Sequence, residues 1–157
     1  MDNLKASEFY KQWKIVTWWI SEMLNSLSDD ELKKTISPGR NHGIWILGHL
    51  IQSEDELSTY LGKGGYIFPE NERLFGQKNK PGPVESYPDI QVLRKQWVNV
   101  VSKNDKILSE ITDAEWDEPH AFIEGYIEND YFKTKGGCVM NWIIHQTYHI
   151  GQLVLLK

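Results

Sequence analysis

Apolar residues recur at helical spacing in four long stretches of the chain. Phe9, Trp13, Val16, Ile20, Leu24 and Leu27 trace one stripe and predict an amphipathic helix over 4–27. Ile46, Leu50, Leu57 and Leu61 predict a second over 41–61, stopped by Gly62-Lys63-Gly64-Gly65. Leu93, Trp97, Val100, Val101, Ile107 and Leu108 predict a third over 89–110. The fourth, over 138–156, follows Gly136-Gly137, which frees the backbone before it.

The connections are as informative as the helices. Ser28-Asp29-Asp30-Glu31 and Thr112-Asp113-Ala114-Glu115 each have the form of a capping box, so a short helical turn is expected after the first and third helices. The roughly 25 residues after the second helix, with Pro69, Pro81, Pro83 and Pro88, read as irregular, too long for an ordinary connection, and predict a crossover over one end of a bundle, anchored by Tyr66, Phe68 and Phe75. Residues 122–132 are rich in strand formers and compatible with a small hairpin before the last helix. Four long helices joined by long crossover loops make an all-α four-helix bundle, and 1–157 reads as a single domain. The two halves echo each other: Asn41, His49 and Gln52 match Asn141, His149 and Gln152 at one offset.

Composition narrows the function. With 40% hydrophobic and 25% charged residues the 157-residue chain is ordinary for a globular protein, but seven Trp are a heavy load, expected to fill the core or line a pocket. A net charge of -5 without a basic cluster argues against nucleic-acid binding. Neither a signal peptide nor an apolar run of membrane-spanning length is present, so a cytoplasmic protein with no membrane partner is expected. The single cysteine, Cys138, excludes an internal disulfide and agrees with a reducing compartment.

Chemistry concentrates on the fourth helix. Cys138, Trp142, His145, His149, Gln152 and Leu156 follow alternating steps of four and three, the spacing of a seam that faces neighbouring helices. Burying an imidazole without a partner costs about 1–3 kcal/mol, so two in succession need a common explanation. A histidine pair at this spacing, taken alone, more often marks a solvated or satisfied face. The seam position and a third candidate, His49 beside Leu47 and Leu50 on the second helix, favour a shared divalent metal. Three imidazoles leave a position open for water or substrate, as reactive sites do. Imidazole suits Zn, Ni, Fe or Cu, and the sequence does not choose.

Other residues carry weaker signals. Glu54, Asp55 and Glu56 follow His49 and could supply a partner or a general base, although a solvated helix face is the better reading. Gln152 and Tyr148 flank the histidine pair and are candidates for contacting a bound molecule, Gln152 ranking first because it shares the seam. Cys138, near a helix start, reads chiefly as packing, and His42 and His120 read as surface or capping residues. Trp45 and Trp142, one turn before His49 and His145, could wall a metal pocket.

Trp45-Ile46-Leu47-Gly48-His49-Leu50 and Asn141-Trp142-Ile143-Ile144-His145-Gln146-Thr147-Tyr148-His149-Ile150-Gly151-Gln152 together resemble the DinB/YfiT-like superfamily of metal-dependent four-helix proteins, over nearly the whole chain. The resemblance implies an up-down-down-up bundle, three histidine ligands (His49, His145 and His149) for Zn or Ni, with Fe, Mn or Cu as alternatives, and a homodimer. It also implies use of a low-molecular-weight thiol, as in bacillithiol transferases. The expected function is a metal-dependent enzyme that activates a small thiol for transfer to an electrophilic small molecule. A hydrolase using metal-bound hydroxide and a non-catalytic metal- or ligand-binding stress-response protein are the alternatives.

Overall fold

The computed structural model describes residues 6–76, 79–121 and 130–157. Among these residues seven α-helices follow in chain order: α1 Ala6–Ser26, α2 Asp29–Lys33, α3 Gly43–Tyr60, α4 Asn71–Phe75, α5 Ile90–Ser109, α6 Asp113–Trp116 and α7 Lys135–Leu153. Three 3-10 turns, Val84–Ser86, Asp130–Lys133 and Val154–Leu156, complete the regular structure, and no strand forms among the described residues.

Contacts along the four long helices set their directions. α1 runs antiparallel to α5, since Tyr10 bonds Asp105 at one end while Arg94 donates to the carbonyls of Leu24 and Leu27 at the other. α3 and α5 are parallel, with His42 beside Tyr87 at their starts and Asp55 bonded to Lys103 further on. α7 opposes α3, bringing His145 to His49 and Trp142 to Tyr60. The bundle is therefore up-down-down-up.

Each predicted stripe packs inward: Trp13, Ile20, Leu24 and Leu27 from α1 and its end meet Ile46, Leu50 and Leu57 of α3, Leu93, Val100 and Leu108 of α5, and Cys138, Trp142 and Leu153 of α7 in one core. Both capping boxes form, Ser28 with Glu31 and Thr112 with Glu115, because each pairs two backbone N–H groups that the helix start leaves free. The echo between halves extends to the backbone. An isolated antiparallel bridge precedes each histidine-bearing helix, Thr35 with His42 and Pro119 with Thr134.

Four expectations are corrected. Helix four starts at Lys135, not Cys138, because Thr134 caps it and Gly136 serves close packing: a Cβ there would lie 2.6 Å from the Phe9 ring. The crossover is not wholly irregular, since it holds α4 and the turn at Val84–Ser86. Of the seven Trp, Trp18 and Trp19 are not in the core: they point outward from α1, 58% and 52% exposed. Glu54 and Asp55 are not a solvated face, being 1% and 0% exposed, because other helices and the crossover supply them with donors. The stretch read as a hairpin lies outside the described residues except at its end, which is the 3-10 turn Asp130–Lys133.

The crossover is pinned at several points. The Asp55 carboxylate accepts from the backbone of Ile67 and Phe68 and from Lys103 Nζ. Phe75, fully buried, stacks on Tyr87. His42 caps α3, its Nδ1 accepting from Trp45 N, so its Nε2–H donates to the carbonyl of Gly82 at 3.2 Å.

Candidate metal centre

α3 and α7 cross where both carry inward-facing histidines, and the three rings meet there. His145 Nε2 lies 3.0 Å from His49 Nε2 and 3.0 Å from His149 Nε2. Trp45, one turn before His49, lies parallel to its ring at 4.8 Å and walls the cluster on that side. The Nε1 of Trp45 is a buried donor with no protein partner among the described residues.

The outer ring nitrogens are oriented by other groups. His49 Nδ1–H donates to the Phe75 carbonyl at 2.8 Å, and His149 Nδ1–H donates to Gln152 Oε1 at 2.8 Å. His145 Nδ1 faces Ser53 Oγ at 3.4 Å. Carbonyl and amide oxygens only accept, so His49 and His149 carry their protons on Nδ1 and aim an Nε2 lone pair at the centre.

That arrangement lacks the protons to satisfy itself. Were His145 protonated on Nε2 it could donate to only one neighbour, leaving the other lone pair against it. A shared cation would resolve the conflict, because all three ring nitrogens could then direct a lone pair at one positive charge. Burial, foremost, and the neighbouring histidines push His145 down to about 3, while burial and His49 push His149 down to about 4. Burial also lowers His49, against a smaller opposing pull from Phe75 and Glu72. All three rings are thus neutral at pH 7, the form that binds metal.

Glycine makes the orientation of His49 feasible. Phe75 ends α4, where carbonyls have no helical partner, and its ring packs directly on Gly48. Any Cβ at position 48 would lie 2.2 Å from that ring, so only glycine lets the Phe75 carbonyl reach His49.

The structure places the remaining candidates unequally. Gln152 orients His149, and its Nε2 donates to the hydroxyl of Tyr148, whose side chain is 64% exposed. Glu54 is fully buried and accepts from Trp13, Asn104 and Gln146 rather than from an imidazole. Cys138 is buried, and burial pushes its thiol up to about 12. His120 is buried rather than on the surface. Trp142 donates to the Ser53 carbonyl. Sequence reasoning missed Ser53 and the Phe75 carbonyl: Ser53 shares the His49 face one turn on, but a backbone oxygen from the crossover leaves no side-chain signal.

Fold and site together define a helical-bundle protein with a three-histidine cluster suited to a divalent metal ion. The chain belongs to the DinB superfamily, known for metal binding, whose profile matches residues 15–153. A crystal structure of a conserved protein from Enterococcus faecalis is similar in fold, with a TM-score of 0.65 at 14% identity over 96% of this chain and 93% of that one. No curated protein matches the sequence. No helix among the described residues is long and apolar enough to cross a membrane.

Proposed function

We propose that His49, His145 and His149 hold one divalent metal ion, Zn or Ni before Fe, Mn or Cu, in an enzyme that transfers a small thiol to an electrophilic small molecule. The observation that carries the reading is the convergence of three Nε2 atoms whose rings are oriented from behind by Phe75, Ser53 and Gln152. A bound ion supplies Lewis acidity that lowers the pKa of a thiol toward neutrality. In the transfer, a carbon–sulfur bond forms as the bond from carbon to its leaving group breaks; the leaving group departs with the electron pair, and the thiol proton passes to solvent. Phe75, Ser53 and Gln152 hold the ligand rings, and Trp45 excludes water from one side.

We read the outward apolar faces of the adjacent helices α1 (Ile15, Trp18, Trp19) and α7 (Ile144, Tyr148), with Leu155 of the 3-10 turn that follows α7, as the contact of a homodimer in the cytoplasm.

The deciding experiment is elemental analysis of protein purified without chelator or His tag, beside His49→Ala and His149→Ala. Stoichiometric metal in the native protein and its loss in both variants is expected; equal metal in all three overturns the ligand set. Bacillithiol or glutathione with a chlorinated or epoxide probe then tests the reaction, which should require both metal and thiol. Turnover without thiol indicates a hydrolase instead, and turnover of neither kind a binding protein.

A further inference from the structure

A second polar cluster lies beside the histidines and reaches all four long helices. The Glu54 carboxylate of α3 accepts from Trp13 Nε1 of α1 at 3.1 Å, from Asn104 Nδ2 of α5 at 2.9 Å and from Gln146 Nε2 of α7. Asn104 Nδ2 also donates to the Glu54 carbonyl at 2.7 Å. Each of these four side chains belongs to a residue only 1% exposed. An apolar group would fill such a place without the desolvation that a buried carboxylate entails, so the cluster's benefit is sought in specificity of packing.

Its position shows what it specifies. Glu54 follows Ser53, which faces His145 Nδ1, and Gln146 follows His145 directly. The Trp142 indole donates to the Ser53 carbonyl at 2.8 Å, so two buried α7-to-α3 bonds, from Trp142 and from Gln146, bracket His145. A helix that slips one residue moves about 1.5 Å and turns about 100°, enough to take an imidazole out of a shared site. We infer that Glu54 is the positioning residue of the histidine triad: through Gln146 it locks the register of α7 against α3 that brings His145 and His149 to His49. The inference rests on the reading that the triad holds a metal ion.

The test measures Zn affinity of apo protein by competition with a chromophoric chelator, and the visible spectrum of the Co-loaded protein. Gln146→Leu and Gln146→Met break only the α7 bond. Glu54→Gln keeps an acceptor for Trp13 and Asn104 and offers an amide donor to Gln146 Oε1, a buried oxygen with no hydrogen-bond partner among the described residues. Leu24→Ala, in the α1 core, controls for general destabilisation. The α7 variants are expected to bind Zn about tenfold more weakly with an altered Co spectrum, while Glu54→Gln and Leu24→Ala stay within about threefold of native with an unchanged spectrum.

Native affinity and spectrum in a folded α7 variant overturn the inference, as does an equal loss in Leu24→Ala. Failure of both α7 variants to fold also counts against it, since the bond would then serve the bundle rather than the site. No Zn uptake by the native protein overturns the metal reading itself, and this inference with it.

Discussion

Gly48→Ala should destabilise the bundle and weaken the site together. The added methyl would sit 2.2 Å from Phe75 Cε1 and 2.4 Å from Cδ1 and Cζ. Phe75 is 0% exposed and stacked on Tyr87, so its ring has no room to swing aside. Overpacking of this kind costs about 1–3 kcal/mol, and partial loss of the ring's burial adds about 1–2 kcal/mol. Alanine returns about 1 kcal/mol through helix propensity, leaving a net loss of about 1–4 kcal/mol. For a domain of this size that lowers Tm by about 3–15 °C. As Phe75 is displaced its carbonyl leaves His49 Nδ1, and Zn affinity should fall about 10–100-fold. Thermal denaturation in chelator and Zn competition read the two effects separately. Gly151→Ala is the companion: nothing lies within 4 Å of a Cβ there, so the same exchange should stabilise by up to about 1 kcal/mol. A Gly48→Ala protein as stable as native, with native Zn affinity, would refute the packing argument.

Metal-free protein should lose stability as the pH falls. The unfolded chain takes up histidine protons near pH 6.5, whereas burial holds folded His149 at about 4 and His145 at about 3. The contribution is therefore complete above pH 6.5 and disappears progressively toward pH 4 and below; urea midpoints across that range check it, and a flat profile would contradict it. Asp55→Ala removes the buried partner of Lys103 and the acceptor of Ile67 and Phe68, and should cost about 3–5 kcal/mol in chemical denaturation. A loss under about 1 kcal/mol would show that the crossover does not depend on this tie. Ser28→Ala and Thr112→Ala each remove a capping-box hydroxyl and should cost about 1 kcal/mol apiece, additively, because the boxes share no partner. Strong non-additivity in the double variant would count against independent caps.

Sequence alone determined what depends on neighbours along the chain. Helical spacing placed the four long helices to within a few residues, the capping boxes after α1 and α5 are local hydrogen-bond patterns, and seam spacing set His145 and His149 on one inward face. Tertiary structure decided what depends on which helices meet. It brought His49 to the other two, turned the Phe75 carbonyl from the crossover onto His49, and made Gly48 a site of close approach, as it did Gly136, which the sequence marks only as a loosened start to the last helix. It also reversed the reading of Glu54 and Asp55, whose polar run looks like a solvated face until Trp13, Asn104, Gln146 and Lys103 arrive from other elements. The physical reason is common to all of these. Periodicity records how one helix divides its surface between inside and outside, whereas the partner that satisfies a buried polar group belongs to a distant part of the chain and is known only once the helices pack.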